Sequence, residues 1–147
     1  MRIFCSRTKR WEWVAATVAL TFGNAHVDVR PCSIQEAFAA EQEASSVRHW
    51  EAVYQSYERF FHCDDGAIRE GYSYSVGSLL ANQWEEFDEL VLLTRGSPRF
   101  EDFVVSHIDE TLPQNDARKI QENLSRCPKS GKKLCSRLKR AITSLRE

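Results

Sequence analysis

The chain has 147 residues, of which 42% are hydrophobic and 28% are charged, so it is long enough for one domain with a buried core. Its formal net charge of -1 argues against a general nucleic-acid binder, because such proteins need a basic excess to neutralise phosphates. Together these properties predict a single globular domain.

The N-terminal segment has the three parts of a secretory signal peptide. Four basic residues precede an apolar run at 13–22, and the small residues Gly23-Asn24-Ala25 follow it. The run is shorter than the roughly 20 apolar residues that a membrane span needs. We therefore expect a signal peptide at 1–25, export to the periplasm and one domain at 26–147. The alternative is an ordinary first helix of a cytosolic domain.

Export changes the charge of the protein and the state of its cysteines. Cleavage after Ala25 removes four basic residues and one acidic residue, which takes the net charge from -1 to -4. Such a mildly acidic protein is expected to avoid nucleic acid and, once cleaved, the membrane. Cys5 is lost with the signal, and four cysteines remain in a compartment where disulfides persist.

Four cysteines permit three pairings. Cys127 and Cys135 bound a short loop with proline and glycine (CPKSGKKLC), which can bring its ends together, so we expect this pair. The pair Cys32–Cys63 then follows by elimination.

Helical periodicity runs through the chain from residue 33, and no stretch alternates long enough to predict a strand. Ser33 and Glu36 have capping-box spacing and open a helix through about Ala44. The clearest apolar stripe follows at Val47, Trp50, Val53, Tyr54, Tyr57, Phe60 and Phe61. The stripe stops at His62-Cys63, and Asp64 or Asp65 can cap the next helix.

That next helix carries Ile68, Tyr72, Val76, Leu79, Leu80 and Trp84, and it continues or kinks into Phe87, Leu90, Val91 and Leu92 before Gly96. Ser97-Pro98 starts another helix, whose apolar face includes Phe100, Phe103, Val104, His107 and Ile108. Pro113 breaks it, and Asn115 or Asp116 starts a short helix. The last helix, from about Lys132, buries Leu134, Leu138, Ile142 and Leu145. These elements predict an all-α fold, a compact bundle of five or six helices stapled by two disulfides.

The segment His62-Cys63-Asp64-Asp65 contains side chains that zinc prefers. Adjacent residues cannot all face one ion, however, and a disulfide-bonded Cys63 can act neither as ligand nor as nucleophile. His107 and Asp109 are two positions apart on a helix and face different directions. We therefore expect no catalytic, metal or cofactor site, and we interpret His107 as a core histidine.

Charge is segregated along the second half of the chain. Residues 85–110 hold eight acids and two arginines, whereas residues 126–146 hold eight basic residues and no acid. Either the two segments meet within the fold, or the acidic one binds a basic partner. Tyr74 falls outside the apolar stripe, so the candidate partner-binding patch combines it with Glu85, Asp88 and Glu89.

The stretch HCDDGAIREGYSYSVGSLLANQW, followed by FEDFVVSHIDETL and Cys127-Pro128, resembles a family of short exported proteobacterial proteins described as hypothetical. The resemblance covers about residues 60–135 and implies a helical periplasmic protein. In size, export, helices and cysteines the chain is more distantly similar to type VI secretion amidase immunity proteins. That likeness implies a periplasmic inhibitor of a cell-wall-degrading toxin, and many such proteins are dimers.

Three functions follow as hypotheses. The first is a periplasmic module that binds a protein partner, including an immunity-type inhibitor. The second is a cell-envelope enzyme acting on peptidoglycan or a small metabolite, which predicts a polar pocket at His107 or Glu85. The third is a structural envelope protein that self-associates through the small residues Gly71, Ser75 and Ser78.

Overall fold

The computed structural model describes residues 30–145, so the expected signal peptide and Cys5 lie outside the described residues. Within 30–145 the chain forms seven α-helices and no strand, which confirms the all-α fold. The helices are α1 (Ile34–Ala44), α2 (Trp50–Phe60), α3 (Gly66–Asn82), α4 (Phe87–Gly96), α5 (Pro98–Ser106), α6 (Gln114–Leu124) and α7 (Lys132–Ser144). Short 3₁₀ turns at Phe61–Cys63, Trp84–Glu86 and Lys129–Gly131 precede α3, α4 and α7.

The bundle has seven helices rather than five or six because the long third segment is divided. Gln83 leaves the helical region with φ -130° and ψ 47°, and a 3₁₀ turn follows before α4 begins. Asn123 of α6 donates its side-chain amide to the carbonyls of Leu80 and Ala81, at 3.0 and 3.2 Å. These bonds satisfy carbonyl groups near the end of α3, where the helix itself supplies no partner.

Most helix starts agree with the local sequence. Ser33 and Glu36 form the expected capping box, Asp65 caps α3 through its carboxylate, and Ser97 caps α5. The expected start of α6 is wrong by one or two positions: α6 begins at Gln114, directly after Pro113. A proline suits this place, because the first backbone N–H groups of a helix have no intrahelical partner.

Helix α3 lies at the centre of the bundle, between α1 and α6. It carries nine buried residues, whereas an amphipathic surface helix buries one stripe. Around it lies a core whose largest fully buried side chains include Trp50, Tyr72, Phe100, Leu79 and Leu90. Several aromatic rings pack edge to face, with 5.0 Å between the ring centroids of Tyr72 and Phe103.

The small residues of α3 contact another helix of the same molecule. A Cβ added to Gly71 would lie 3.0 Å from the Ala44 Cβ, and the Ser75 hydroxyl donates to the Ala44 carbonyl at 2.6 Å. Gly71 and Ser75 therefore pack against α1 of the same molecule and are not free for self-association, whereas Ser78, the third residue of that hypothesis, is half-buried. The close approach that small side chains permit serves the packing of α1 on α3.

Both expected disulfides are present. Cys32 is bonded to Cys63, with 5.0 Å between their Cα atoms, and Cys127 to Cys135, with 6.4 Å. The first bond attaches the start of α1 to the turn before α3, and the second joins the connection after α6 to the first turn of α7, at a sequence separation of eight. Two such bonds are compatible with an oxidising compartment outside the cytosol.

Candidate functional site

A group of ionisable and hydrogen-bonding side chains forms a network around His107. Its side chain is fully buried, with Nδ1 2.7 Å from the Phe103 carbonyl oxygen and Nε2 3.1 Å from Asp64 Oδ1. Each ring nitrogen therefore lies within hydrogen-bond distance of an oxygen atom. The ring packs against Tyr72 and Phe103, which confirms the interpretation of His107 as a core histidine.

Arg69 of α3 extends this network to the end of α5. Its guanidinium lies 3.3 Å from Asp64 Oδ2 and donates to the Ser106 carbonyl at 2.6 Å. Asp109 accepts from the Ser73 hydroxyl at 2.7 Å and lies 3.8 Å from Arg69. Burial would raise the pKa of Asp109, but hydrogen bonds from Thr111 and Ser73 leave that pKa below its ordinary value. The network ties α3 to α5 and to the connection that follows it.

The cysteine–histidine segment is not assembled as a metal site. Cys63 is bonded to Cys32, and the side chain of His62 is 6% exposed, with Nε2 3.4 Å from Glu36 Oε1. The Ser33 hydroxyl and backbone amide bind the Glu36 carboxylate and lower its pKa to about 2. Within residues 30–145, no three His, Cys, Asp or Glu side chains are grouped to hold a metal ion.

The predicted partner-binding residues are spread over α3, the 3₁₀ turn before α4, and α4. Tyr74 is 51% exposed on α3, so its expected surface position is confirmed. Glu85 is exposed on the 3₁₀ turn, and Asp88 is exposed at the start of α4. Glu89 is half-buried, and its carboxylate accepts from the backbone amide of Glu51 at 3.2 Å. Glu89 therefore serves the N-terminus of α2 rather than a free surface.

The acidic and basic segments meet within one molecule at α5 and α7. The Glu101 carboxylate is buried, and it lies 2.8 Å from Arg137 Nη1 and 3.4 Å from Lys133 Nζ. Arg137 also contacts Asp102 at 2.8 Å, and the hydrogen bond to Glu101 contributes most to raising the pKa of the arginine. The first of the two interpretations of charge segregation therefore holds for this part of the surface.

Several apolar side chains that sequence periodicity assigns to the core are exposed. Phe61 is 52% exposed because α2 ends at Phe60, so Phe61 turns away in the 3₁₀ turn. Leu92 is 67% exposed on the outer side of α4, and Leu145 is 37% exposed at the end of α7. Our expectation that these three pack inside is wrong.

Two further exposed apolar residues were not predicted as functional. Ile34 and Phe38, one helical turn apart on α1, are 73% and 64% exposed. The pattern that reveals them is their i, i+4 spacing outside the buried stripe at Ala40 and Ala44. Phe61 on the turn before α3 and Tyr74 on α3 are also exposed, and both of these elements contact α1. We refer to these four exposed side chains as the outer apolar surface.

A cleft of about 730 Å³ lies between the α5–α6 connection and the end of α7. Its lining includes Asp109, Glu110 and Arg118 over an apolar floor, but neither His107 nor Glu85. The enzyme hypothesis expects a polar pocket at His107 or Glu85. Since neither residue lines this cleft, the cleft is not that pocket.

Comparisons with known proteins identify no relative: no protein-family model matches the chain, and neither a curated protein nor a solved structure is significantly similar to it. Among the helices described, none is both long and apolar enough to cross a membrane.

Proposed function

We propose that this chain is an exported cell-envelope protein that binds a protein partner, as an immunity-type inhibitor binds a cell-wall-degrading toxin. The observation that carries the proposal is the outer apolar surface of Ile34, Phe38, Phe61 and Tyr74. Large apolar and aromatic side chains that remain exposed in neighbouring elements are typical of the buried centre of protein interfaces.

The rigidity of this surface also supports partner binding. The Cys32–Cys63 disulfide joins the start of α1 to the turn that carries Phe61. In addition, the Arg59 guanidinium on α2 contacts the Glu43 carboxylate on α1 at 2.5 Å, linking these two helices. Side chains held in place before binding lose less conformational freedom when a partner covers them, which favours affinity.

Export is supported by the disulfides together with the sequence pattern at residues 1–25. The enzyme alternative gains no support from His107, because its ring is enclosed and both of its nitrogens have partners. Glu85, the other residue named for that alternative, lies exposed on a 3₁₀ turn.

Export is tested by expressing the chain with its own N-terminus and measuring its intact mass in periplasmic and cytoplasmic fractions. Reduction followed by thiol alkylation counts the blocked cysteines. We expect a periplasmic species that begins at His26 and carries four blocked cysteines. A full-length cytoplasmic species with free thiols would contradict the proposal.

Partner binding is tested by cross-linking in the periplasm, identification of the cross-linked protein and titration of that purified protein. Replacing Phe38→Ser or Tyr74→Ser should raise the dissociation constant at least about tenfold, because interface aromatics carry much of the binding energy. Leu145→Ser is the control, since it also removes a partly exposed apolar side chain but lies on α7. Equal affinity in all three variants would reject this surface. For an immunity-type inhibitor, the partner's hydrolysis of peptidoglycan should stop in the complex.

A further inference from the structure

We propose that α7 attaches the protein to an anionic phospholipid surface through its solvent-facing side, the basic face. This face consists of Lys132, Lys139 and Arg140, together with the hydroxyl residues Ser136 and Thr143, and all five side chains are exposed. The inference goes beyond the binding of a protein partner, and it rests on the proposed function only in preferring lipid, outside the cytosol, to nucleic acid.

The residues of the basic face share one side of α7. At about 100° per residue, positions 132, 136, 139, 140 and 143 fall within an arc of about 100°, and the opposite side of the helix is buried at Leu134, Leu138 and Ile142. A depression of about 360 Å³ is lined by Ser136, Lys139, Arg140, Thr143 and Ser144. Among the described residues, neither a carboxylate nor a large apolar side chain lines it. The depression therefore suits a negatively charged group.

The charges of the basic face are not neutralised within the molecule. Helix α7 contains basic residues and no acid, and two of its bases, Lys133 and Arg137, pair with acids of α5. In residues 30–145, no acid forms an ion pair with Lys132, Lys139 or Arg140. Helix α6, which also packs on α7, carries two acids and two bases and adds no net negative charge. The basic face thus keeps its positive charge for an outside partner.

The extent of this face favours a surface over a single small anion. Lys132 and Arg140 are separated by about 12 Å along the helix, so one small anion cannot reach both, whereas an array of phosphate groups meets every base at once. Helix α7 contains no aromatic residue, although aromatic residues are typical of the centre of protein interfaces. Clusters of lysine and arginine on an amphipathic helix are typical of proteins that bind anionic lipids.

The negative net charge of the exported chain led us to expect no membrane contact, but net charge is a sum over the whole molecule. At physiological salt, charges act strongly only within a Debye length of about 8 Å, so the bases nearest the lipid decide the attraction. Helix α7 packs on α5 and α6, whereas the outer apolar surface lies on α1, the turn before α3, and α3. The two surfaces can therefore be occupied at the same time.

The test is co-sedimentation of the purified chain with vesicles of phosphatidylethanolamine and phosphatidylglycerol, in a ratio of about 3:1, and with neutral phosphatidylcholine vesicles. We expect stronger binding to the anionic vesicles, which weakens as salt increases because the attraction is screened. The variant Lys139→Gln/Arg140→Gln should lower the partition coefficient about 25-fold, since each basic residue near the surface contributes about fivefold. Residues 1–25 are unchanged in the variant, so any contribution of that segment cancels in this ratio.

Arg48→Gln/Arg99→Gln is the matched control, because it removes the same charge at two exposed arginines outside α7. Arg99 lines a depression with Phe61, on another side of the molecule. This control should bind the anionic vesicles like the wild type, and circular dichroism establishes that both variants are folded.

The proposal is overturned if the wild type binds neutral and anionic vesicles equally, or if the α7 variant and the control lose affinity to the same degree. Tighter binding to a DNA duplex than to the anionic vesicles would also overturn it, because nucleic acid would then be the preferred source of phosphate. Export and partner binding are measured separately, by intact mass and by cross-linking, so failure of the vesicle test is distinguishable from failure of the proposed function.

Discussion

Several residues between His62 and Val76 have structural tasks that can be named. Cys63 forms a disulfide, Asp65 caps α3, and the Tyr72 hydroxyl lies 2.7 Å from the Ser56 hydroxyl in the core. Burial raises the pKa of Tyr72, although the hydrogen bond to Ser56 opposes this effect. These three residues therefore contribute to the construction of the bundle.

Asp64, in the same stretch, supports a fully buried histidine, so its loss should be costly. Replacing Asp64→Ala leaves Nε2 of the fully buried His107 without its acceptor and removes a partner of Arg69. We expect the free energy of unfolding to fall by about 2–3 kcal/mol, because an unsatisfied buried polar group bears its full desolvation cost. Urea denaturation followed by circular dichroism measures this loss.

The control for Asp64→Ala is Glu70→Ala, which removes an exposed carboxylate from the next turn of α3. Its effect should stay within about 0.5 kcal/mol, as is usual for surface substitutions. Equal stability of the two variants would show that the contact with His107 contributes nothing.

At the scale of helices, the contact of α1 with α3 depends on the absence of a side chain at Gly71. Alanine is the better helix former by about 1 kcal/mol, which by itself would stabilise α3. The added Cβ, however, would lie 3.0 Å from the Ala44 Cβ and 3.1 Å from the Ser45 backbone nitrogen. Neither atom belongs to a flexible side chain, so the end of α1 must move by a few tenths of an ångström.

We therefore expect Gly71→Ala to lower the free energy of unfolding by about 1–3 kcal/mol, the usual cost of overpacking. Gly96→Ala at the end of α4 is the matched control, because no atom lies within 4 Å of its added Cβ. That control should be neutral or stabilising by up to about 1 kcal/mol. Chemical denaturation measures the free energy of unfolding of both variants. A stabilised Gly71→Ala variant would mean that α1 moves away without cost.

For the whole molecule, the two disulfides should stabilise to different degrees, because they close loops of different length. The bond between Cys32 and Cys63 spans 31 residues, whereas that between Cys127 and Cys135 spans eight. Chain-entropy arguments assign about 4 kcal/mol to the longer loop and about 2.5 kcal/mol to the shorter one.

Replacing both cysteines of a pair with alanine tests this difference. We expect the variant without Cys32–Cys63 to lose about 1 kcal/mol more than the variant without Cys127–Cys135. Thermal unfolding of each variant, with the other disulfide intact, is the measurement. The reverse order would mean that the shorter loop stabilises mainly through its position against α4 and not through chain entropy.

The sequence by itself determined what depends on nearby residues. The capping box at Ser33, the proline start of α5 and the short loop of Cys127–Cys135 each involve residues less than ten positions apart, so local spacing identifies them. Apolar periodicity likewise identifies the helices, because it follows from the geometry of one helix alone.

Only the tertiary structure decided which faces are covered. His107 meets Asp64 across 43 positions, α1 covers the small residues of α3, and Phe61 and Leu92 stay exposed although their spacing matches the core. Each of these outcomes depends on how whole helices are placed against one another, and the periodicity of a single helix carries no information about its neighbours.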